Sequence, residues 1–195
     1  REEKIDSQAV LQGHFLHVLR DTVRLPDGRQ ASREYIQHPG AVMIVPMLVD
    51  AQGQTRLVLE RQYRYPLGRV MLEFPAGKLD LGEGSLACAQ RELREETGYS
   101  ATEWAHATTL HPAIAYSTEF IAMWFARGLL QGPRELDAGE FLDVLLLSPA
   151  EFLQACRDGQ ITDAKTLSAA LWVQNCLSNA WALSWQAGLE TTPQG

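Results

Sequence analysis

Glu92, Glu95 and Glu96 stand within five positions of one another in the stretch RELREETG, Arg91 to Gly98. On a helix of 3.6 residues per turn, Glu92 lies within about 60° of each of the other two. The three carboxylates therefore form one stripe, while Leu86, Ala89 and Leu93 fall on a different face that can pack into a core. Like charges at i,i+4 cost about 0.2–0.5 kcal/mol per pair, and the last helical turn is the wrong end of the helix dipole for anions. Stability alone does not place them there. Arg91 is spaced to pair with Glu95 and Arg94 is close by, but two arginines do not neutralise the set. A hard divalent cation such as Mg²⁺ or Mn²⁺ would, because these ions take oxygen ligands from carboxylates together with substrate phosphates. Glu83 ends a loop containing Gly82 and can fold back beside the stripe. Glycine in PAGK lets the backbone come close, so that a backbone carbonyl can join the ligands. The competing reading is a solvated acidic face; the flanking glycine-rich loop weighs against it.

These residues need a helix from about Ser85 to Thr97, with Gly98 just past its C-terminus, where positive φ is wanted. Before it, AVMIVPMLV and TRLVLERQYR read as strands joined by a turn at Gln52–Gln54, and VMLEFPAGK as a short strand broken at Pro75. Strands are expected again at ATTLHPA, Glu119–Leu129 and Glu140–Ser148. Ser148, Pro149 and Glu151 form a capping box for a following helix. A last amphipathic helix is expected from near Asp163 to about Ala187, its core face marked by Leu167, Leu171 and Leu177. Toward the N-terminus the first dozen residues read as polar and loose, and His14–Gln37 as an antiparallel hairpin turning at Pro26-Asp27-Gly28. The class is α+β, a mixed sheet with helices packed on it. Residues 1–39 form an N-terminal strand region and 40–195 the main domain.

The chain of 195 residues carries a net charge of −7, with 46% apolar and 21% charged residues. This is the composition of a soluble globular domain, and the charge argues against broad nucleic-acid binding. A metal ion between like charges still allows phosphates to bind. Cys88, Cys156 and Cys176 are few, odd in number and far apart, which points to buried thiols in a reducing compartment. No apolar run approaches the ~18 residues needed to cross a bilayer. No membrane association is expected, and the cytoplasm is the expected compartment. The five histidines show no metal-ligand spacing and read as structural or surface groups.

The stretch from Gly77 to Tyr99 resembles the signature of the Nudix hydrolases: Gly, five residues, Glu, seven residues, then Arg-Glu-hydrophobic-x-Glu-Glu-x-Gly-hydrophobic. Gly77, Glu83, Arg91, Glu92, Leu93, Glu95, Glu96 and Gly98 fill it in register. Seven fixed types at set spacing arise by chance about once in 10⁸ starts. HPGAVMIVP, LERQYRYPLG, LEFPAGKLDLGEG, YSTEFIAMWFARGL and GQITDAKTLSAALWVQ extend the likeness to the ADP-ribose pyrophosphatase branch, over about His38 to Gln174.

The resemblance implies a Nudix α/β/α sandwich and Mg²⁺-dependent hydrolysis of ADP-ribose to AMP and ribose 5-phosphate, with Mn²⁺ as an alternative metal. It implies Glu92 and Glu96 as principal metal ligands, Glu95 as a further ligand or one held by Arg91, and the carbonyl of Ala76 in the metal shell. Arg64 is implied to contact substrate, and Glu73 to serve as an acid on the substrate or metal side. The general base is either Glu95 or a loop glutamate, Glu135 or Glu140, with Glu140 favoured. Trp104 or Trp124 is either core or an adenine-stacking ring. Branch members are commonly homodimers that exchange N-terminal strands, which gives the hairpin of His14–Gln37 that role. The branch's SPG is replaced here by Ala113-Ile114-Ala115, which keeps open other nucleoside diphosphate substrates, such as sugar nucleotides or dinucleotides. A non-catalytic ADP-ribose sensor is the third reading, and the intact carboxylate set speaks against it.

Overall fold

The fold was determined as a computed structural model that describes residues 1–136 and 141–189. The chain divides into two compact units, one of Arg1–Gly40 with His111–Phe120, the other of Ala41–Leu110 with the chain from Ile121 onward.

The first unit is a three-stranded antiparallel sheet of β1 (Glu3–Gln12), β2 (His17–Arg24) and β3 (Gln30–Gln37). The β2–β3 hairpin turns at Pro26-Asp27-Gly28 as expected. The opening residues are not loose. Backbone pairing along β2, from Glu3 opposite Arg24 to Gln12 opposite His17, makes them a strand although every residue of β1 is exposed. Composition misleads here because the ladder, not burial, supplies the order. The segment Ala113–Ala115 belongs to this unit, with Ile114 exposed.

The second unit is built on a mixed sheet. Its strands are β4 (Ala41–Val49), β5 (Thr55–Arg64), β6 (Arg69–Glu73), β7 (Ala76–Lys78), β8 (Tyr99–Leu110), β9 (Ile121–Gln131), β10 (Leu142–Leu147) and β11 (Gln186–Ala187). The order is β10-β5-β4-β9-β8-β11, with β6 on β5 and β7 on β4; β4 and β9 run parallel and the other pairs antiparallel. Helix α1 (Ser85–Thr97) covers one face, and α2 (Pro149–Arg157) with α3 (Ala164–Leu177) the other. Period-two alternation in β4 shows why. Val42 and Ile44 pack with Ala89 and Leu93 of α1, while Met43 and Val45 pack with Phe152 of α2 and Ala169 and Val173 of α3. This is an α/β/α sandwich within the expected α+β class. Ser148 and Glu151 close the capping box of α2 reciprocally.

The last helix stops ten residues short of the expected end. Asn179 adopts φ 58°, a left-handed conformation that Asn tolerates better than most residues. The chain then folds back, Trp181 meets Trp172 edge-on at 4.7 Å, and Gln186–Ala187 join β8 as an edge strand. The buried stripe of α3 also differs from expectation. It is Thr166, Ala169 and Val173, and Leu167, Leu171 and Leu177 are exposed. Small residues at i, i+3 and i+7 let the helix approach the sheet closely, and the leucines one step round are left facing out. Trp104 and Trp124 are both core residues. Trp104 is fully buried and donates to the carbonyl of Ala101, and Trp124 packs in the α1-side cluster. Neither presents a face for stacking.

Candidate active site

Helix α1 spans Ser85–Thr97, as expected, and Gly98 closes it with φ 75° and its N–H on the carbonyl of Arg94. A Cβ at Gly98 would lie 2.9 Å from the Gly132 carbonyl, so glycine is needed for both conformation and space. Leu93 and Ala89 anchor the inner face, which fixes the rotation of the helix and hence where the glutamates emerge.

The three glutamates do not share one environment. Glu96 is only 3% exposed and accepts a hydrogen bond from the Ala76 N–H at 3.0 Å. This corrects the expectation of a carboxylate stripe that packing does not use: the first N–H of β7 needs an acceptor, and Glu96 supplies it. Glu92 and Glu95 are tied to Arg91, whose Nη1 donates to them at 2.7 and 3.1 Å. Glu83 folds back as expected. It accepts from the same guanidinium through both oxygens at 3.0 Å, and from the Asp80 N–H. The Arg91 hydrogen bonds hold the Glu83 carboxyl down at about 2. Arg94 is a looser partner of Glu95 at 3.8 Å. One arginine thus gathers the loop carboxylate and two of the three helix carboxylates. Burial pushes the neighbouring Cys88 thiol up, consistent with an inert cysteine, and all three cysteines are free.

The donor set fits a hard divalent cation. It is all oxygen, it is concentrated on one helix, and the backbone reaches it without obstruction, because Gly77 has no Cβ where Glu92 lies. Among the described residues no three acidic, histidine or cysteine side chains converge on one point. Ions of this type complete their shell with water and substrate phosphate.

Arg64 and Glu73 stand at opposite ends of the antiparallel β5–β6 ladder, and their side chains meet. Arg64 grips Glu73 bidentately, Nε to Oε1 at 2.7 Å and Nη2 to Oε2 at 2.8 Å. Burial pushes the Glu73 carboxyl up, and the hydrogen bonds and charges of Arg64 and Lys165 outweigh it and hold the group below its ordinary range. Both residues line a cleft of about 490 Å³ with Arg69, Thr162, Asp163 and Lys165. The fields of Glu60 and Glu96 also reach Arg64, which links this cleft electrostatically to α1. Two of these groups escaped the sequence reading. Lys165 bonds Glu73 from the start of α3, and its signal lay in DAKT, where Asp163 caps the helix. Glu60 is 1% exposed and sits directly opposite Glu73 across β5–β6; a lone acid in the strand pattern RLVLERQYR was its only signal. Glu135 places its backbone N–H on the Glu95 carbonyl at 3.2 Å. Glu140 lies outside the described residues.

The chain is similar to known proteins in sequence and in fold. The NUDIX domain model matches residues 37–169, and a model described as the nucleoside diphosphate sugar hydrolase N-terminal domain matches residues 2–36. The chain is 33% identical over 175 residues to an ADP-ribose pyrophosphatase of Bacillus subtilis, covering 89% of this chain and 92% of that protein. The same figures hold for a methanol dehydrogenase activator of Bacillus methanolicus. Among solved structures, an ADP compounds hydrolase superposes with a TM-score of 0.82 at 25% identity, over 92% of this chain and 96% of that one.

Proposed function

The chain belongs to the NUDIX family and is a Nudix pyrophosphohydrolase, and on that premise we propose that it hydrolyses the diphosphate of ADP-ribose to AMP and ribose 5-phosphate. The observation that carries this reading is the complete set of α1 carboxylates beside the Ala76–Gly77 backbone, Glu92 and Glu95 held by Arg91 and Glu96 by the Ala76 N–H.

Enzymes of this family work with a divalent metal, here Mg²⁺ with Mn²⁺ as the alternative. Glu92, Glu96 and the Ala76 carbonyl would hold it, with Glu95 as a further ligand, and when bound it would supply positive charge against the diphosphate and acidify the attacking water. Arg91 sets the rotamers of Glu92 and Glu95, so that the ligands are arranged before substrate arrives. Arg64 offers a planar donor to a phosphate or ribose oxygen, and Glu73 fixes the plane of that donor. Glu140 takes the proton of water as it adds to phosphorus, with Glu95 as the alternative base. The proton released from water ends on the base and then in solvent, and the diphosphate bridge opens to two monophosphates.

The protein acts in the cytoplasm as a homodimer in this reading, with the N-terminal strands in the interface. The exposure of every residue of β1, Ile5, Val10 and Leu11 among them, supports that role. Sedimentation of full-length protein beside a variant lacking residues 1–12 tests it.

Other nucleoside diphosphate derivatives are the second reading, favoured by the description of the N-terminal family and by Ile114 in place of the branch's proline. Ranking kcat/KM over ADP-ribose, sugar nucleotides and dinucleotides with Mg²⁺ decides between them. The first reading needs ADP-ribose to lead, and the second needs another substrate to lead by tenfold or more, about 1.4 kcal/mol of transition-state binding.

A further inference from the structure

Glu73 is buried, with a side chain only 3% exposed, and it carries more cationic partners than its charge needs. Arg64 occupies both of its oxygens, and the Lys165 ammonium, itself only 12% exposed, donates to Oε2 as well. Lys165 is fixed in turn by Asp163 Oδ2 at 3.0 Å, and the same oxygen accepts the Thr166 N–H as the cap of α3. A line of charges therefore runs from the first turn of α3 through Glu73 on β6 to Arg64 at the end of β5.

The chemistry of a guanidinium gives this line a use. Arg64 spends its Nε and Nη2 edge on Glu73. The group is planar and its donors are rigidly related, so fixing one edge fixes the direction of Nη1. The carboxylate can fix that edge only if its own torsions are held. A lone Arg–Glu pair can swing as a unit about the Glu73 side chain; a third bond from an element of independent rigidity removes that motion. Lys165 supplies it, since α3 is anchored separately by Thr166 Oγ1 on the Phe74 N–H and by Ala169 and Val173 in the core. Lys165 also shares the negative charge of Glu73, which leaves more of the Arg64 charge available to an anion. Burying an ammonium at this depth is costly unless it is paired, so the position is not that of an incidental surface lysine.

We propose that Lys165 is a positioning residue that fixes the Glu73 carboxylate and, through it, aligns Arg64 on an anionic oxygen of the substrate. It rests on the reading above that Arg64 contacts substrate.

The test is steady-state kinetics of Lys165→Met, Lys165→Arg and Arg64→Ala on the substrate that the wild type turns over, with thermal midpoints measured alongside. Lys165→Met is expected to raise KM about tenfold with little change in kcat, the pattern of lost binding shared by ground and transition states. Lys165→Arg is expected to recover most of the affinity. A lowered midpoint with unchanged KM would make Lys165 a structural anchor and overturn the proposal. Should Lys165→Met fail to fold, Lys165→Ala also removes the bond to Glu73, and its KM is read the same way. A raised KM in Arg64→Ala beside an unchanged KM in the lysine variants overturns this proposal alone. An unchanged KM in Arg64→Ala overturns the reading beneath it as well.

Discussion

Glu92 lies so close to the backbone of Gly77 that a Cβ at that position would sit 1.8 Å from its Oε1. The strand β7 and the helix α1 meet there with no room for a side chain, and the backbone that carries the proposed carbonyl ligand is brought within reach of the carboxylates.

Gly77→Ala is therefore expected to abolish most activity while leaving the fold intact. The atoms in the way belong to the end of a flexible side chain, which can move aside, and Gly77 needs no positive φ. A ligand carboxylate displaced by an ångström or more costs about a hundredfold in kcat. Circular dichroism and kcat measured together check this; near-normal turnover would show that the close approach is incidental.

Glu96→Gln keeps an acceptor for the Ala76 N–H and removes the charge. Folding is expected to survive and turnover to fall at least about a hundredfold, since a metal's charge stabilisation is worth several kcal/mol and each ~1.4 is tenfold. Titration of substrate onto this variant should show binding retained. Full turnover would remove Glu96 from the metal shell.

Arg91→Ala leaves Glu83, Glu92 and Glu95 close together without their shared cation. Lost charge-assisted hydrogen bonds of this kind cost about 2 kcal/mol, or about 4–8 °C in Tm for a chain of this size. Saturating Mg²⁺ is expected to narrow the gap to wild type, because the ion replaces the missing positive charge and binds only the folded state. Equal Mg²⁺ shifts in both proteins would mean that the ion does not sit among these carboxylates.

The Glu73 carboxyl is held below its ordinary value in the folded state. Its contribution is therefore complete above the unfolded value near 4.5 and fades as pH falls below it. Glu73→Gln should be less stable than wild type at pH 7, and the difference should shrink on acidification below about pH 4. Urea midpoints at three pH values check the sign; a gap that widens in acid would mean that the group is held protonated.

The chemistry of α1 was legible because its residues are local. Spacing on one helix places Glu92, Glu95 and Glu96, and Gly98 marks the end of that helix. The burial of Glu96 was not legible, because its reason lies twenty positions upstream in the Ala76 N–H. Lys165 and Glu60 were missed for the same cause: each acquires its meaning from Glu73, ninety-two residues away in one case and across a strand pair in the other. At the N-terminus a polar sequence concealed β1, since a strand held by its ladder need not be apolar. In α3 the largest apolar residues marked the wrong face, because close packing on the sheet selected Thr166, Ala169 and Val173 instead.

The most direct test of the account is product analysis after incubation of ADP-ribose with the purified protein and Mg²⁺ in ¹⁸O-labelled water. Expected are AMP and ribose 5-phosphate in equal amounts, one ¹⁸O in one of the two phosphates, and product formation at least about a hundredfold slower with Glu96→Gln. Absence of products from ADP-ribose and from every nucleoside diphosphate derivative in the panel, with folded protein and metal present, would contradict it.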